Sequence, residues 1–267
     1  MEIFGYTFFQ NALLGVTIVS IAAAIIGTYV VVRRMVAITG GITHASFGGL
    51  GFGFWAGCDP SLTALAAAVA SALGIEWLSA RGTVREDSAI GVVWALGMAV
   101  GTLFIFLSPG YVPELTSFLF GNLLTITRLD ILVAAFFLLI LVAVFLLGHD
   151  IIVACAFDRD WAATRRLPVT AVNTLMTVLT AITVVLTARL IGIMLLMSLL
   201  TLPQLTAERI VRRLRPMMVI SAVISLLCSL AGLLISYLAG TPASATIVIA
   251  LITVYAASRL VPARLPR

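Results

Sequence analysis

A chain of 267 residues that is 62% hydrophobic and only 10% charged, with a mean hydropathy of +1.19, excludes a soluble fold. Soluble domains carry roughly 45–50% apolar and about 25% charged residues, and a core of this size could not hide the surplus. All 16 basic residues are arginine: without lysine there is neither a Walker A phosphate loop nor Schiff-base chemistry, and the net charge of +5 lies in short loops rather than in a nucleic-acid-binding patch.

The composition predicts an all-α, polytopic membrane protein, a single domain over 1–267. The N-terminal MEIFGYTFFQN lacks the basic start of a secretory signal, so the apolar run after it reads as the first transmembrane helix. Spans are predicted at about 11–32, 42–57, 61–79, 88–108, 129–148, 170–187, 190–202, 217–238 and 243–259. The second and seventh are short for the hydrocarbon core and read as buried or partly re-entrant, giving eight or nine transmembrane helices.

With nine spans, arginines 33, 34, 81, 85, 159, 165, 166, 209, 212, 213, 215, 259, 264 and 267 share one side, and only Arg128 and Arg189 face the other. The positive-inside rule makes the arginine-rich side cytoplasmic and the N-terminus external. With eight spans the N-terminus changes sides.

Three connections look ordered. Residues 108–124, with two prolines and an amphipathic stretch, predict a short surface or re-entrant helix on the outer side. Residues 158–168 (DRDWAATRRLP) predict a cytoplasmic helix ended by proline. Residues 201–216 (TLPQLTAERIVRRLRP) predict a helix opened by Pro203 and closed by Pro216, with Glu208 and Arg212 as an i,i+4 pair. Such a helix suits a cytoplasmic partner, a solvated arginine-rich loop being the plainer alternative.

Few side chains carry chemistry. Cys58, Cys155 and Cys228 are scattered and read as small apolar packing residues. No Ser-His-Asp, Cys-His or HExxH set is present, so the chain reads as neither an enzyme nor the holder of a cofactor. Small residues at helical spacing, such as Ala64, Ala68 and Ala72, read as close helix packing. Glu76, near a cytoplasmic helix end, is expected to snorkel or to pair with Arg81 or Arg85, and His149 beside Asp150 is expected to be solvated. His44 is different: it lies inside a span, with Gly40 and Gly48 at i−4 and i+4 on its own face. An imidazole in a membrane either lines a pathway or makes a structural hydrogen bond.

Residues 28–57 (TYVVVRRMVAITGGITHASFGGLGFGFWAG), 115–127 (LTSFLFGNLLTIT) and 188–214 (ARLIGIMLLMSLLTLPQLTAERIVRRL) resemble, in order and separation, the metal-ion ABC transporter permease family of zinc, manganese and iron importers. The resemblance covers most of the chain. It implies a type II-like ABC importer permease in the cytoplasmic membrane of a bacterium, working as a homodimer in lipid. A separate ATP-binding ABC subunit and an extracytoplasmic metal-binding protein would be its partners. It further implies a substrate path along Gly40, Thr43, His44 and Ser46, with His44 the metal ligand. Pro203, Gln204, Thr206, Glu208, Arg209 and Arg212 would form the segment that couples to the ATPase. Family members often carry aspartate where Gly40 stands here, which leaves the metal open. A permease for a chelated metal, or an ion-coupled secondary carrier, are the alternatives.

Overall fold

The computed structural model describes residues 6–80, 85–109, 121 and 123–260. These form eleven α-helices and one 3-10 turn, with no strand among the described residues. In chain order they are α1 (Thr7–Val32), α2 (Val36–Ala56), α3 (Pro60–Ala80), α4 (Glu86–Leu107), the turn Leu123–Thr125 and α5 (Arg128–Leu147). The short α6 (His149–Phe157) and α7 (Arg159–Thr164) follow, then α8 (Val169–Ile191), α9 (Ile193–Glu208), α10 (Leu214–Ala239) and α11 (Ala243–Leu260). Seven of them are long and apolar enough to cross a membrane, and α9 is a shorter apolar helix. Most of the region expected to form an outer surface helix, residues 110–120 and 122, lies outside the described residues, as do Arg81, Arg264 and Arg267.

Two groups of helices share a core. Helix α2 packs between α3 and α4, while α1 packs against α9 and α10, with α5 at its edge and α8 touching both groups. Side chains such as Leu132, Phe136, Leu139 and Leu147 on α5 and Val92, Leu96 and Phe106 on α4 are exposed. On a soluble protein they would be a liability; here they match the hydrocarbon of a bilayer, in which every backbone polar group must be satisfied within a helix.

Several span boundaries differ from the sequence reading, and two of them bear on the site. Helix α2 begins at Val36 rather than near 42: Thr39, Gly40 and Gly41 contribute little apolar character, yet all are buried. At 21 residues it has the length to cross, but its glycines and threonines leave it outside the seven helices apolar enough to do so, and its small side chains are shielded by neighbouring helices. Helix α8 continues past Arg189 to Ile191, because Arg189 reaches Asp130 at 3.3 Å instead of ending the helix. The break falls at Gly192, whose φ of 79° and ψ of 164° suit glycine alone.

The 201–216 segment is not a helix bounded by its prolines. Pro203 lies inside α9, and Pro216 lies in the first turn of α10, where a missing N–H costs no helical hydrogen bond. Pro203 cannot donate to the carbonyl of Leu199, four residues earlier. The neighbouring side chain supplies that bond: Gln204 Nε2 donates to Leu199 O at 3.0 Å and to Ala23 O of α1 at 3.1 Å. Helix α9 thus tolerates its proline and is tied to α1 at the same point. Gln204→Leu is expected to orphan the Leu199 carbonyl and to cost about 1–3 kcal/mol. Pro203→Ala in the Gln204→Leu background restores a backbone donor and should recover most of that loss in thermal unfolding of the purified chain. Strictly additive effects of the two changes would refute this repair.

The chain leaves α9 at Glu208 through Arg209 N to Thr206 O and Ile210 N to Ala207 O bonds, which tighten the last turn. Glu208 and Arg212 therefore do not share one helix face, because the helix on which their spacing was counted has ended. Similarly, the 158–168 helix is only Arg159–Thr164, started by Asp158, whose carboxylate accepts from Trp161 N at 2.8 Å; Pro168 caps the next helix instead.

Candidate functional site

Helix α2 carries Gly40, Thr43, His44 and Ser46 toward different neighbours. Successive residues turn by about 100°, so Gly40 and His44 share a face while Ser46 points to the far side. Thr43 and Ser46 are buried, and their hydroxyls donate to carbonyls of their own helix, Thr39 O and Thr43 O, each at 2.6 Å. The structure therefore brings Gly40 and His44 together and turns Thr43 and Ser46 inward.

His44 is half-buried against α4. Its ring stacks on Trp94 with centroids 4.1 Å apart and planes 16° from parallel. Its Nδ1 lies 3.2 Å from the Met98 sulfur. Trp94 and Met98 are one helical turn apart, so a single face of α4 holds the ring in plane and offers it a thioether. A second sulfur, that of Met197 on α9, stands 3.8 Å from Thr39 Oγ1. A side chain built on Gly40 would point between Trp94 and the Met197 methyl, at 3.3 and 3.7 Å. Beyond Met98 the site opens on a groove of about 590 Å³ lined by Ala99, Thr102, Leu103 and Phe106.

Close backbone contact makes this arrangement possible. A Cβ on Gly97 would stand 2.5 Å from the Ala45 Cα and 2.6 Å from the His44 carbonyl oxygen, so α4 meets α2 with nothing between them at the level of the imidazole.

A second polar feature lies toward the arginine-rich end. Ile38, six residues before His44 and about 9 Å along the helix axis, lines a cavity of about 420 Å³ with Tyr29, Arg33, Glu76, Arg159 and Asn173. Glu76 accepts from Thr174 Oγ1 at 3.4 Å, and its other oxygen is buried without a hydrogen-bond partner among the described residues. It faces the cavity with Arg33 and Arg159 rather than Arg85; Arg81 lies outside the described residues. Arg33 also reaches the Cys155 and Ala156 carbonyls of α6 at 3.4 Å, binding the end of α1 to that short helix. His149 begins α6; burial and the Arg215 guanidinium hold it below the ordinary histidine value, with Asp150 pulling the other way.

Of the expected coupling residues, Pro203, Gln204 and Thr206 are buried. Glu208 and Arg212 are exposed, and Arg209 is half-buried, where α9 ends. Residue patterns in the sequence did not single out Trp94, Met98 or Met197. The available signal was the Trp94, Gly97, Met98 grouping, an aromatic ring and a thioether on one face beside a glycine. Methionine and tryptophan are so common in apolar spans that the grouping carries no weight until α4 is known to pack on α2.

The chain matches the model of the ABC 3 transport family over residues 5–261. It is 35% identical over 245 residues to an uncharacterized membrane protein of Synechocystis sp., covering 91% of this chain and 87% of that one. It is 36% identical over 251 residues to a probable metal transport system membrane protein of Chlamydia pneumoniae, covering 92% and 86%. A manganese transport system membrane protein of Halalkalibacterium halodurans is 28% identical over 255 residues, covering 96% and 87%. Among solved structures, the fold is similar to PsaBC from Streptococcus pneumoniae in complex with Fab, with a TM-score of 0.86 and 24% identity over 96% of this chain and 92% of that one. It is also similar to a metal-chelate type ABC transporter in an inward-facing conformation, with a TM-score of 0.74 and 15% identity over 94% and 85%.

Proposed function

We propose, from the premise that this chain belongs to the ABC 3 transport family, that it is the membrane-spanning subunit of an importer for a divalent metal cation. Two copies would form the pore. A separate ATP-binding subunit at the arginine-rich, cytoplasmic face would drive it, and a metal-binding protein would load it from outside. The single observation that carries this proposal is the imidazole of His44: it is half-buried, held in plane by Trp94 and in contact with Met98, which lines an open groove along α4. Polar groups are costly at this depth and face protein interiors or pathways.

The contact with the ATPase would fall on Glu208 and the turn 209–213, because Pro203, Gln204 and Thr206 are occupied inside the bundle. Affinity purification of the full chain from its native membrane is expected to bring an ATP-hydrolysing subunit with it. In proteoliposomes containing both, metal uptake should require ATP. Uptake by the chain alone, driven by an ion gradient, would overturn the ABC proposal, and ATP-driven uptake of a metal chelate but not the aqua ion would move the substrate to chelates. Arg212→Glu is expected to reduce ATP-driven uptake at least about tenfold while shifting the unfolding midpoint of the isolated chain by no more than the loss of an exposed ion pair, about 0–1 kcal/mol, would. Charge reversal at a docking surface costs several kcal/mol of association, whereas an exposed surface charge contributes little to folding.

A further inference from the structure

We propose that His44 and Met98 act together as a nitrogen–thioether ligand pair that selects a borderline-soft divalent cation, zinc, over the harder manganese. This rests on the permease function proposed above and names its substrate class.

Donor chemistry points this way. Carboxylate, carbonyl and water oxygens suit manganese, imidazole suits zinc, copper, iron and nickel, and thioether sulfur favours the softer end of the series. His44 Nδ1 and the Met98 sulfur are 3.2 Å apart. Among the described residues, no group of three or more His, Cys, Asp or Glu side chains is placed to hold a metal. Glu76 opens on the separate inner cavity. A hard cation passing His44 therefore meets one nitrogen and a sulfur, with no carboxylate beside them.

The spacing is close to what a shared ion needs. With zinc–nitrogen at about 2.1 Å, a zinc–thioether bond no shorter than the roughly 2.3 Å of a thiolate and a tetrahedral angle, the two donors stand at least about 3.6 Å apart. Opening from 3.2 Å takes a few tenths of an ångström, within the reach of a methionine with three rotatable bonds. Trp94 keeps the imidazole plane from turning away as the thioether moves. Two protein donors, with water completing the shell, make a weak site, as transit requires: an ion must be able to leave as well as enter. Met197, beside Thr39 and facing Gly40, places a second thioether along the same strip of α2.

The test uses the purified full-length chain in nanodiscs with zinc chloride, manganese chloride or cuprous ion as the probe. The wild type is expected to bind zinc more tightly than manganese, and zinc-edge X-ray absorption should show a sulfur neighbour. Met98→Leu, which keeps the side-chain volume, should remove that sulfur and lower the zinc-to-manganese affinity ratio by about 10–100-fold, comparable to the loss of a group that orients a ligand. Gly40→Asp adds a carboxylate one turn before His44 and should shift the ratio toward manganese, which gives a gain that misfolding cannot imitate. A zinc shell of nitrogen and oxygen only, a ratio unchanged in Met98→Leu, or binding of cuprous ion without zinc would each overturn the pair. The permease function fails separately, if the chain with its ATP-binding subunit imports no metal.

Discussion

Gly97→Leu is expected to separate α4 from α2 and to remove both folding stability and metal binding. A Cβ at this position alone meets Ala45 Cα at 2.5 Å, against 3.4–4 Å for ordinary contact. The helices must therefore part by about 1 Å. Overpacking a well-filled interior typically costs about 1–3 kcal/mol when side chains can shift. Here the obstacles are two backbones, which have no rotamer to change, so Gly97→Ala should already fall in that range and leucine should exceed it. The same displacement breaks the 3.2 Å approach of Met98 to His44. At Gly91, on the same helix, an added methyl would meet nothing within 4 Å, so Gly91→Ala should be neutral or stabilising by up to about 1 kcal/mol through helix propensity. Thermal unfolding and size-exclusion profiles of the three variants would check this. Equal effects at 91 and 97 would show that helix propensity, not the α2–α4 contact, governs this region.

His44→Ala is expected to lower ATP-driven metal uptake at least as far as the roughly 10–100-fold typical of losing a group that only orients a metal ligand. Its cost to folding should be small. The substitution removes one stacked ring pair with Trp94, a contact worth about 0.5–1.5 kcal/mol beyond area burial, together with the Nδ1 contact to the Met98 sulfur, and it leaves the backbone contact at Gly97 untouched. That separation of magnitudes makes the variant informative: a functional loss with an almost unchanged unfolding midpoint assigns His44 to the path. Full uptake by His44→Ala would remove His44 from the path while leaving the family membership as it stands.

The coupling segment shows how local sequence logic and packing diverge. Pro203 and Pro216 look like punctuation, because proline usually breaks a helix by removing a donor. In the folded chain the first is repaired by Gln204 and the second sits where no donor is needed. A polar side chain next to a proline in an apolar run is ambiguous in sequence, since its partner on α1 lies 181 residues away.

Composition alone determined that this is a helical, multi-pass membrane protein, because apolar surface on this scale is tolerated only in lipid and lipid permits only backbones that satisfy themselves. Arginine placement gave the expected orientation, with the arginine-rich side facing the cytoplasm, and the GGITHASFGG stretch marked His44. Which residues surround His44 was decided by tertiary structure. Trp94 and Met98 are 50 and 54 positions away, and nothing periodic in an apolar helix distinguishes the face that meets α2 from the face that meets lipid. That choice was made by Gly97, whose missing side chain lets two backbones touch and so decides which donors the imidazole meets.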